Sequence, residues 1–225
     1  MQPDHARAIG EKLRAVRQER QMSLRDLADK AEISASMLSQ IETGKTFPSV
    51  RSLYSIAAAL AVTVDYFFPE QGNEIAAAEE MGVTSVGEMT ASEMRDARLR
   101  GETQGVIEYS RHAETPSPIV HAKSRPLIEL KGGVTWSRLT ALAESGAEFL
   151  EISYAPGAMS GENMSHHEGR EFGMVLEGEL IVELGFESYR LSAGDSMIFE
   201  STTPHRLVNN GSGQMRAIWV VLSRQ

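Results

Sequence analysis

Residues 23–45, SLRDLADKAEISASMLSQIETGK, constrain this chain more than any other stretch. Ser23 and Asp26, three residues apart, have the capping-box spacing that opens a helix. Leu24, Leu27, Ala28 and Ala31 then fall at i, i+3, i+4 and i+7, the stripe of one buried helical face, which predicts a helix over 24–31. Ser34 caps a second helix over 35–43, with Met37 or Leu38 and Ile41 as its apolar stripe and Gly44 as its C′ stop. A helix, a turn of roughly three residues and a second short helix make the helix-turn-helix unit, whose second helix is of a size to lie in a DNA major groove. An amphipathic helix over 9–21 precedes the unit (Ile9, Leu13, Val16 apolar). Pro48-Ser49 introduces another over 50–60, and residues 62–68 form a last short helix ended by Pro69. The expectation is a compact five-helix bundle over residues 1–70.

Charge is unevenly shared. Through residue 70 there are nine Lys+Arg and nine Asp+Glu, while the remainder carries 13 and 22, so the whole chain's net charge of −9 lies outside the helical region. Affinity for DNA comes largely from neutralising phosphates, so a neutral domain binds weakly alone and a homodimer is expected. No window approaches the roughly 18 apolar residues of a membrane span, and the N-terminal MQPDHARAIG has no apolar signal core. Zero cysteines exclude disulfides and thiolate metal sites and are compatible with a reducing cytoplasm. The expectation is a cytoplasmic protein without a membrane partner.

Residues 71–118 read as a linker. Gln71-Gly72-Asn73 breaks the helical pattern, 74–81 and 90–100 are short helical pieces, and Pro116-Ser117-Pro118 closes the stretch. Beyond it, over 119–225, the hydrophobic period changes from 3.6 to 2. Strands are expected over 126–130, 135–139, 148–154, 171–176, 179–184, 187–191, 196–200, 205–208 and 215–222, punctuated by Gly- and Pro-containing turns. Short strands with no intervening helix make a β-sandwich or barrel. Phe149, Phe172, Phe199, Trp136 and Trp219 are expected in its core or on a dimer face. The fold class is therefore α+β, in two domains.

Two resemblances sharpen these expectations. The pattern LRxxRxxxxxSLxxLAxxAxISxSxLSxIExGKxxPSxxxLxxIAxALxVxxxxFF resembles the phage-repressor-type (XRE) DNA-binding family and extends over residues 9–68. The resemblance implies that Ala35 and Ser36, and one turn later Gln40, face base edges. Gln can pair bidentately with adenine, Ser bonds either base type, and Ala touches only a thymine methyl. It also implies a helix 1 to helix 3 ion pair between Arg17 and Glu42. Ser23, Thr43 and Lys45 would approach phosphate, and Arg25 and Ser34 complete the DNA-facing set. Downstream, HxGxEFGxVLEGEL, with GDSxxFxSxxPHRxxN following, resembles the two motifs of the cupin superfamily over about residues 126–223, in the form fused to XRE domains.

The cupin resemblance brings His167 and Glu171, at the mouth of one strand, beside His205, which starts another. Alternate strand residues share a face, so all three can point inward. Two imidazoles and a carboxylate with open positions suit non-haem iron and would also take zinc, nickel or manganese. Metal-binding cupins usually carry His-x-His before the Glu, and here Ser165 stands two residues before His167. His166 is adjacent to His167 and would point outward. A metal-free pocket in which Glu171 and His205 bond an organic effector, or simply each other, is the alternative.

Three functions fit. One is a regulator whose helical domain reads a double-stranded DNA operator as a dimer and whose cupin senses a small-molecule effector. Another is a mononuclear-metal enzyme, since the layout also resembles hydroxypropylphosphonate epoxidase. The third is a barrel that serves dimerisation alone. The retained Arg17, Glu42, Ser36 and Lys45 set favours the regulator.

Overall fold

The computed structural model describes residues 3–69 and 118–223. The linker expected over 71–118 lies outside the described residues, apart from Pro118. Among the described residues, four α-helices precede the strands: α1 (Pro3–Glu19), α2 (Leu24–Lys30), α3 (Ala35–Glu42) and α4 (Val50–Leu60). Helix α1 begins a turn and a half earlier than its apolar spacing predicts, because buried Ala6 continues the stripe of Ile9, Leu13 and Val16. The fifth helix is a 3₁₀ turn, Val64–Phe67, rather than an α-helix. Thr63 offers it no side-chain cap, and the following Pro69 leaves no room to lengthen it.

Local chemistry accounts for the two central helices. Ser23 accepts from the Asp26 N–H while Asp26 accepts from the Ser23 N–H, a complete capping box. Ser34 accepts from the Met37 N–H and starts α3. At its end the Lys45 N–H donates to Gln40 O at 2.9 Å and the Gly44 N–H to Ile41 O at 3.0 Å, the Schellman pattern. Gly44 takes φ +68° there, and a Cβ would meet the Arg7 backbone at 2.9 Å, so both conformation and space require glycine. Leu27, Leu38, Ile41, Leu53, Ile56 and Leu60 fill the bundle interior. Helix α1 crosses α3 at Gly10, where a Cβ would lie 2.4 Å from Ile41 O and 2.8 Å from Glu42 O.

Among the described residues nine strands follow: β1 (Leu127–Leu130), β2 (Val134–Arg138), β3 (Ala147–Tyr154), β4 (Arg170–Glu177), β5 (Glu179–Leu184), β6 (Glu187–Ser192), β7 (Ser196–Glu200), β8 (His205–Val208) and β9 (Met215–Leu222). They pair antiparallel in two sheets, β1-β2-β3-β9-β4-β7 and β6-β5-β8, in place of one closed barrel ladder. Period-two alternation sends Leu150, Ile152 and Tyr154 of β3, Glu171 of β4, and Trp219 and Val221 of β9 into the interior. Trp136, Phe199 and Trp219 are core residues. Phe149 and Phe172 are not, since each neighbours an inward residue and therefore faces outward, Phe149 exposed and Phe172 half-buried. No helix among the described residues is long and apolar enough to cross a membrane.

The helical bundle docks against the strands through buried polar groups. The Tyr54 hydroxyl of α4 donates to Glu148 Oε2 of β3 at 2.8 Å. Arg138 Nη1 of β2 lies 3.7 Å from Asp65 Oδ1, and its guanidinium covers the Phe68 ring. The Lys131 N–H donates to Pro48 O at 2.9 Å. Burial pushes the Glu148 carboxyl up to about 7, against the opposing pull of the Tyr54 hydrogen bond. Burial likewise pushes Asp65 up to about 6, partly countered by Arg138.

Two outcomes are expected. Gly10→Ala would gain about 1 kcal/mol of helix propensity, but the new methyl strikes backbone carbonyls that no rotamer change can clear. Overpacking of this kind costs about 1–3 kcal/mol, so urea unfolding should show net destabilisation; unchanged or raised stability would contradict the close α1–α3 contact. For Glu148 and Asp65, the folded protein holds protons more tightly than the unfolded chain. Stability contributed by the neutral forms is present at low pH and falls as pH rises from about 4 through 7. Glu148→Gln should reduce that fall by on the order of 2–3 kcal/mol, read from urea unfolding between pH 4.5 and 8, and an unaltered pH slope would refute the buried-proton account.

Candidate functional site

On the helical side, α3 presents an exposed face beginning at its N-terminal end. Ser34, Ser36 and Gln40 are exposed and Ala35 is half-buried; Ser23, Arg25, Thr43 and Lys45 are exposed around them. Two of these side chains already serve the helix ends, Ser23 and Ser34 as N-caps. The Thr43 hydroxyl donates back to Ser39 O at 2.8 Å. Behind this face Arg17 grips Glu42 in a two-pronged ion pair, Nε to Oε1 at 2.5 Å and Nη2 to Oε2 at 2.9 Å. Arg17 Nη1 also donates to Met22 O at 2.9 Å, so one guanidinium ties α1, the segment before α2, and α3. The Glu42 hydrogen bond dominates the rise in the Arg17 pKa, outweighing burial.

On the strand side, His167, Glu171 and His205 converge, with their candidate ligand atoms all within 4.8 Å of one another. Glu171 is inward on β4, and its Oε2 accepts from Trp219 Nε1 at 2.6 Å. Trp219 can lie flat against β4 because its partner there is Gly173, where a Cβ would be 2.0 Å from the indole. Glu171 Oε1 is 3.0 Å from His167 Nε2 and 3.2 Å from His205 Nε2. Neither contact has hydrogen-bond geometry, so this buried oxygen lacks a hydrogen-bond partner. His205 Nδ1 is 2.9 Å from Thr203 O and His167 Nδ1 is 3.2 Å from Glu168 O. A carbonyl can only accept, so both Nδ1 atoms carry hydrogen and the neutral rings turn Nε2 lone pairs toward Glu171.

Three electron-rich atoms thus face one point, an arrangement that calls for a cation or a proton. Burial raises the Glu171 pKa, yet the two imidazoles, when they carry a proton on Nε2, overcome this and hold it well below the carboxylate range. Burial lowers that of His167, and the Glu171 carboxylate more than reverses the effect. The donor set fits a divalent metal. Two ligands about 2.1 Å from one ion, at angles between octahedral and tetrahedral, are separated by about 3.0–3.4 Å, which the 3.0 and 3.2 Å spacings match. The Nδ1–carbonyl bonds are the outer contacts that orient ligating histidines.

Neighbouring residues divide cleanly. Ser165 is buried, lines the same cavity as His167, and pairs its backbone with His205, while His166 between them is exposed. Asn209 builds a turn, donating to Tyr154, Ala155 and Gly213 carbonyls and accepting from the Gly211 N–H. Arg206 pairs with Glu183, and Arg170 with Glu200. Sequence reasoning missed two members of the site. One is Trp219, expected only in the core or on a dimer face. The other is Tyr54 of α4, whose ring stacks on His167 with centroids 4.4 Å apart and planes within 10°. The signal for Tyr54 is an aromatic four residues after Val50, off the Leu53, Ile56, Leu60 stripe.

Comparison with known proteins gives independent grounds. The family model described as Helix-turn-helix matches residues 13–67, and that described as Cupin domain matches residues 150–221. The chain is 25% identical to HTH-type transcriptional regulator PuuR of Escherichia coli (strain K12) over 96% of this chain and 95% of that protein. It is 46% identical over 54 residues to HTH-type transcriptional regulator DdrOP3 of Deinococcus deserti, spanning 24% of this chain and 42% of that one. The crystal structure of an HTH_3 family transcriptional regulator from Vibrio cholerae shares the fold, covering 99% of both chains with a TM-score of 0.62 at 20% identity. Residues 13–67 are thus a helix-turn-helix domain of the XRE type and residues 150–221 a cupin domain, in a chain similar along nearly its whole length to an HTH-type transcriptional regulator.

Proposed function

We propose that this chain is a cytoplasmic regulator in which two copies read an operator with α3, while the cupin pocket binds a small effector through a divalent metal. The domain boundaries are those of the sequence reading, a DNA-binding domain over 1–70 and a sensor over 119–225. The observation that carries the reading is the pairing of an outward α3 face, braced by Arg17 and Glu42, with an inward cation site in the same chain. On DNA, Gln40 and Ser36 would supply base hydrogen bonds and Ala35 a methyl contact. Ser23, Arg25, Ser34, Thr43 and Lys45 would lie along the phosphates and set register.

His167, Glu171 and His205 would hold the metal, whose open positions would take an effector's anionic or chelating group. Trp219 keeps Glu171 Oε2 engaged so that Oε1 alone faces the site. A mononuclear-metal epoxidase or oxygenase would use the same triad. The regulator is favoured because the exposed α3 face and the Arg17–Glu42 brace behind it are both present, which an enzyme has no need to keep.

The second copy would pack on the outer face of the larger sheet. Phe149, Val220, Phe172 and Ile198 are register partners in one row across β3, β9, β4 and β7. Phe149 and Ile198 are 41% and 49% exposed, as is Met174 at 48% in the next row, an apolar face unusual for a surface that stays wet. Two copies place two α3 helices on half-sites about 34 Å apart.

Operator DNA recovered by selection should bind wild type with strong salt dependence. Ser36→Ala with Gln40→Ala should lower the preference for that sequence by about 1–3 kcal/mol per lost base pairing. Ile198→Glu should give a monomer by light scattering and lose operator binding. Full affinity in all variants would refute the DNA and dimer assignments. For the metal, elemental analysis of protein purified without added metal should find a divalent ion in wild type and a loss of at least tenfold in His167→Ala. Gly173→Ala, which forces Trp219 off Glu171, should lose about 10–100-fold in affinity for Ni²⁺. Equal nickel binding in wild type and His167→Ala would remove the triad as ligands.

A further inference from the structure

We propose that Tyr54, a residue of the DNA-binding bundle, is a wall of the cupin pocket whose ring occupies the space a ligand on the metal would take. Pocket occupancy by anything larger than a few waters then displaces Tyr54 and loosens the docking of α4. The inference rests on the metal-pocket reading above and extends it to a residue outside the cupin.

The pocket is lined by Val50 and Tyr54 of α4 together with His167, Glu171, His205 and Trp219. The Tyr54 ring is held on three sides: stacked on His167, edge-on to Trp136 with centroids 5.8 Å apart, and hydrogen-bonded to Glu148 Oε2. With the ring in place the cavity of about 30 Å³ suits an ion with a few waters. A metabolite cannot enter without moving a wall. The strand-side walls are β-ladder residues such as Leu150, Ile152 and Trp219, locked by pairing to both neighbours. The α4 wall is attached more lightly, by the Tyr54–Glu148 hydrogen bond, a long 3.4 Å bond from the Arg51 N–H to Ser160 O and, just before the helix, the Lys131 N–H to Pro48 O. The wall that yields is therefore α4. Residues 43–49 join α4 directly to the end of α3, so a shift of Tyr54 acts on the segment that carries the reading helix.

The test uses full-length wild type, Tyr54→Phe and Tyr54→Ala, with Ni²⁺ alone and then imidazole as probes. The chain contains two tryptophans, and both Trp136 and Trp219 line the pocket, so intrinsic fluorescence reports its occupancy. Nickel should bind all three proteins within about threefold, because the ligands are intact. Imidazole should bind nickel-loaded Tyr54→Ala at least tenfold more tightly than wild type, with Tyr54→Phe gaining much less because the ring remains. Nickel with imidazole should also speed exchange of the Lys131 amide in wild type at least fivefold and leave it unchanged in Tyr54→Ala. Equal imidazole affinity in wild type and Tyr54→Ala, or a Lys131 amide in wild type indifferent to imidazole, overturns the proposal. If nickel binds none of the three, the metal reading fails instead. Imidazole alone is then titrated into wild type and Tyr54→Ala, where tighter binding to the variant supports the wall and equal binding overturns it.

Discussion

Glu171 is the group on which the site depends. Its carboxylate is 4% exposed, and one oxygen is committed to the Trp219 indole while the other faces two imidazole nitrogens. A buried charge in that position is costly unless it is compensated. The surroundings hold the compensating groups in place: Gly173 clears space for the indole, and the Thr203 and Glu168 carbonyls orient the histidines. What remains uncompensated is one oxygen and two lone pairs, and a divalent cation answers all three at once. A single proton on His167 answers them only in part.

The same cluster extends beyond the cupin. Tyr54 connects His167 to Glu148, and Asp65 and Arg138 carry a second buried polar contact between the helices and the strands. An apolar interface would hold these parts together with less dependence on conditions. Buried carboxylates near neutrality and an aromatic wall in a ligand site make the docking responsive to protons and to pocket contents. A ligand can shift such an equilibrium only by its differential affinity for the two arrangements. Competition with the Tyr54 ring provides that difference in the simplest form, by occupying the same volume.

Legibility followed the range of the interactions. The caps of α2 and α3, the Gly44 stop and all nine strands are encoded within a few residues, and the chain showed them directly. The extra turn of α1 and the shortness of the last helix leave no such signal, because the first rests on burial of Ala6 and the second on a Thr63 that makes no side-chain cap. His167, Glu171 and His205 were found through motif spacing. Trp219 and Tyr54 were not, because an indole 48 residues from its carboxylate and a tyrosine in another domain leave no local pattern. Gly10 and Gly173 did leave one: a glycine inside a helix or strand is unfavourable, so it marks a close approach. Gly10 meets a helix backbone and Gly173 an indole.

If Tyr54 is the wall that yields, pocket and reading helix share one equilibrium through α4. The most direct measurement is the affinity of wild-type protein for its selected operator with the pocket empty and with it saturated by Ni²⁺ and imidazole, at constant salt. Linkage requires that the operator change imidazole affinity by the same factor that imidazole changes operator affinity. Coupling through α4 gives a reciprocal change of about 5-fold or more, within the usual 5–150-fold range of such couplings. A pocket shown to be filled by tryptophan fluorescence, with operator affinity unmoved, would contradict it.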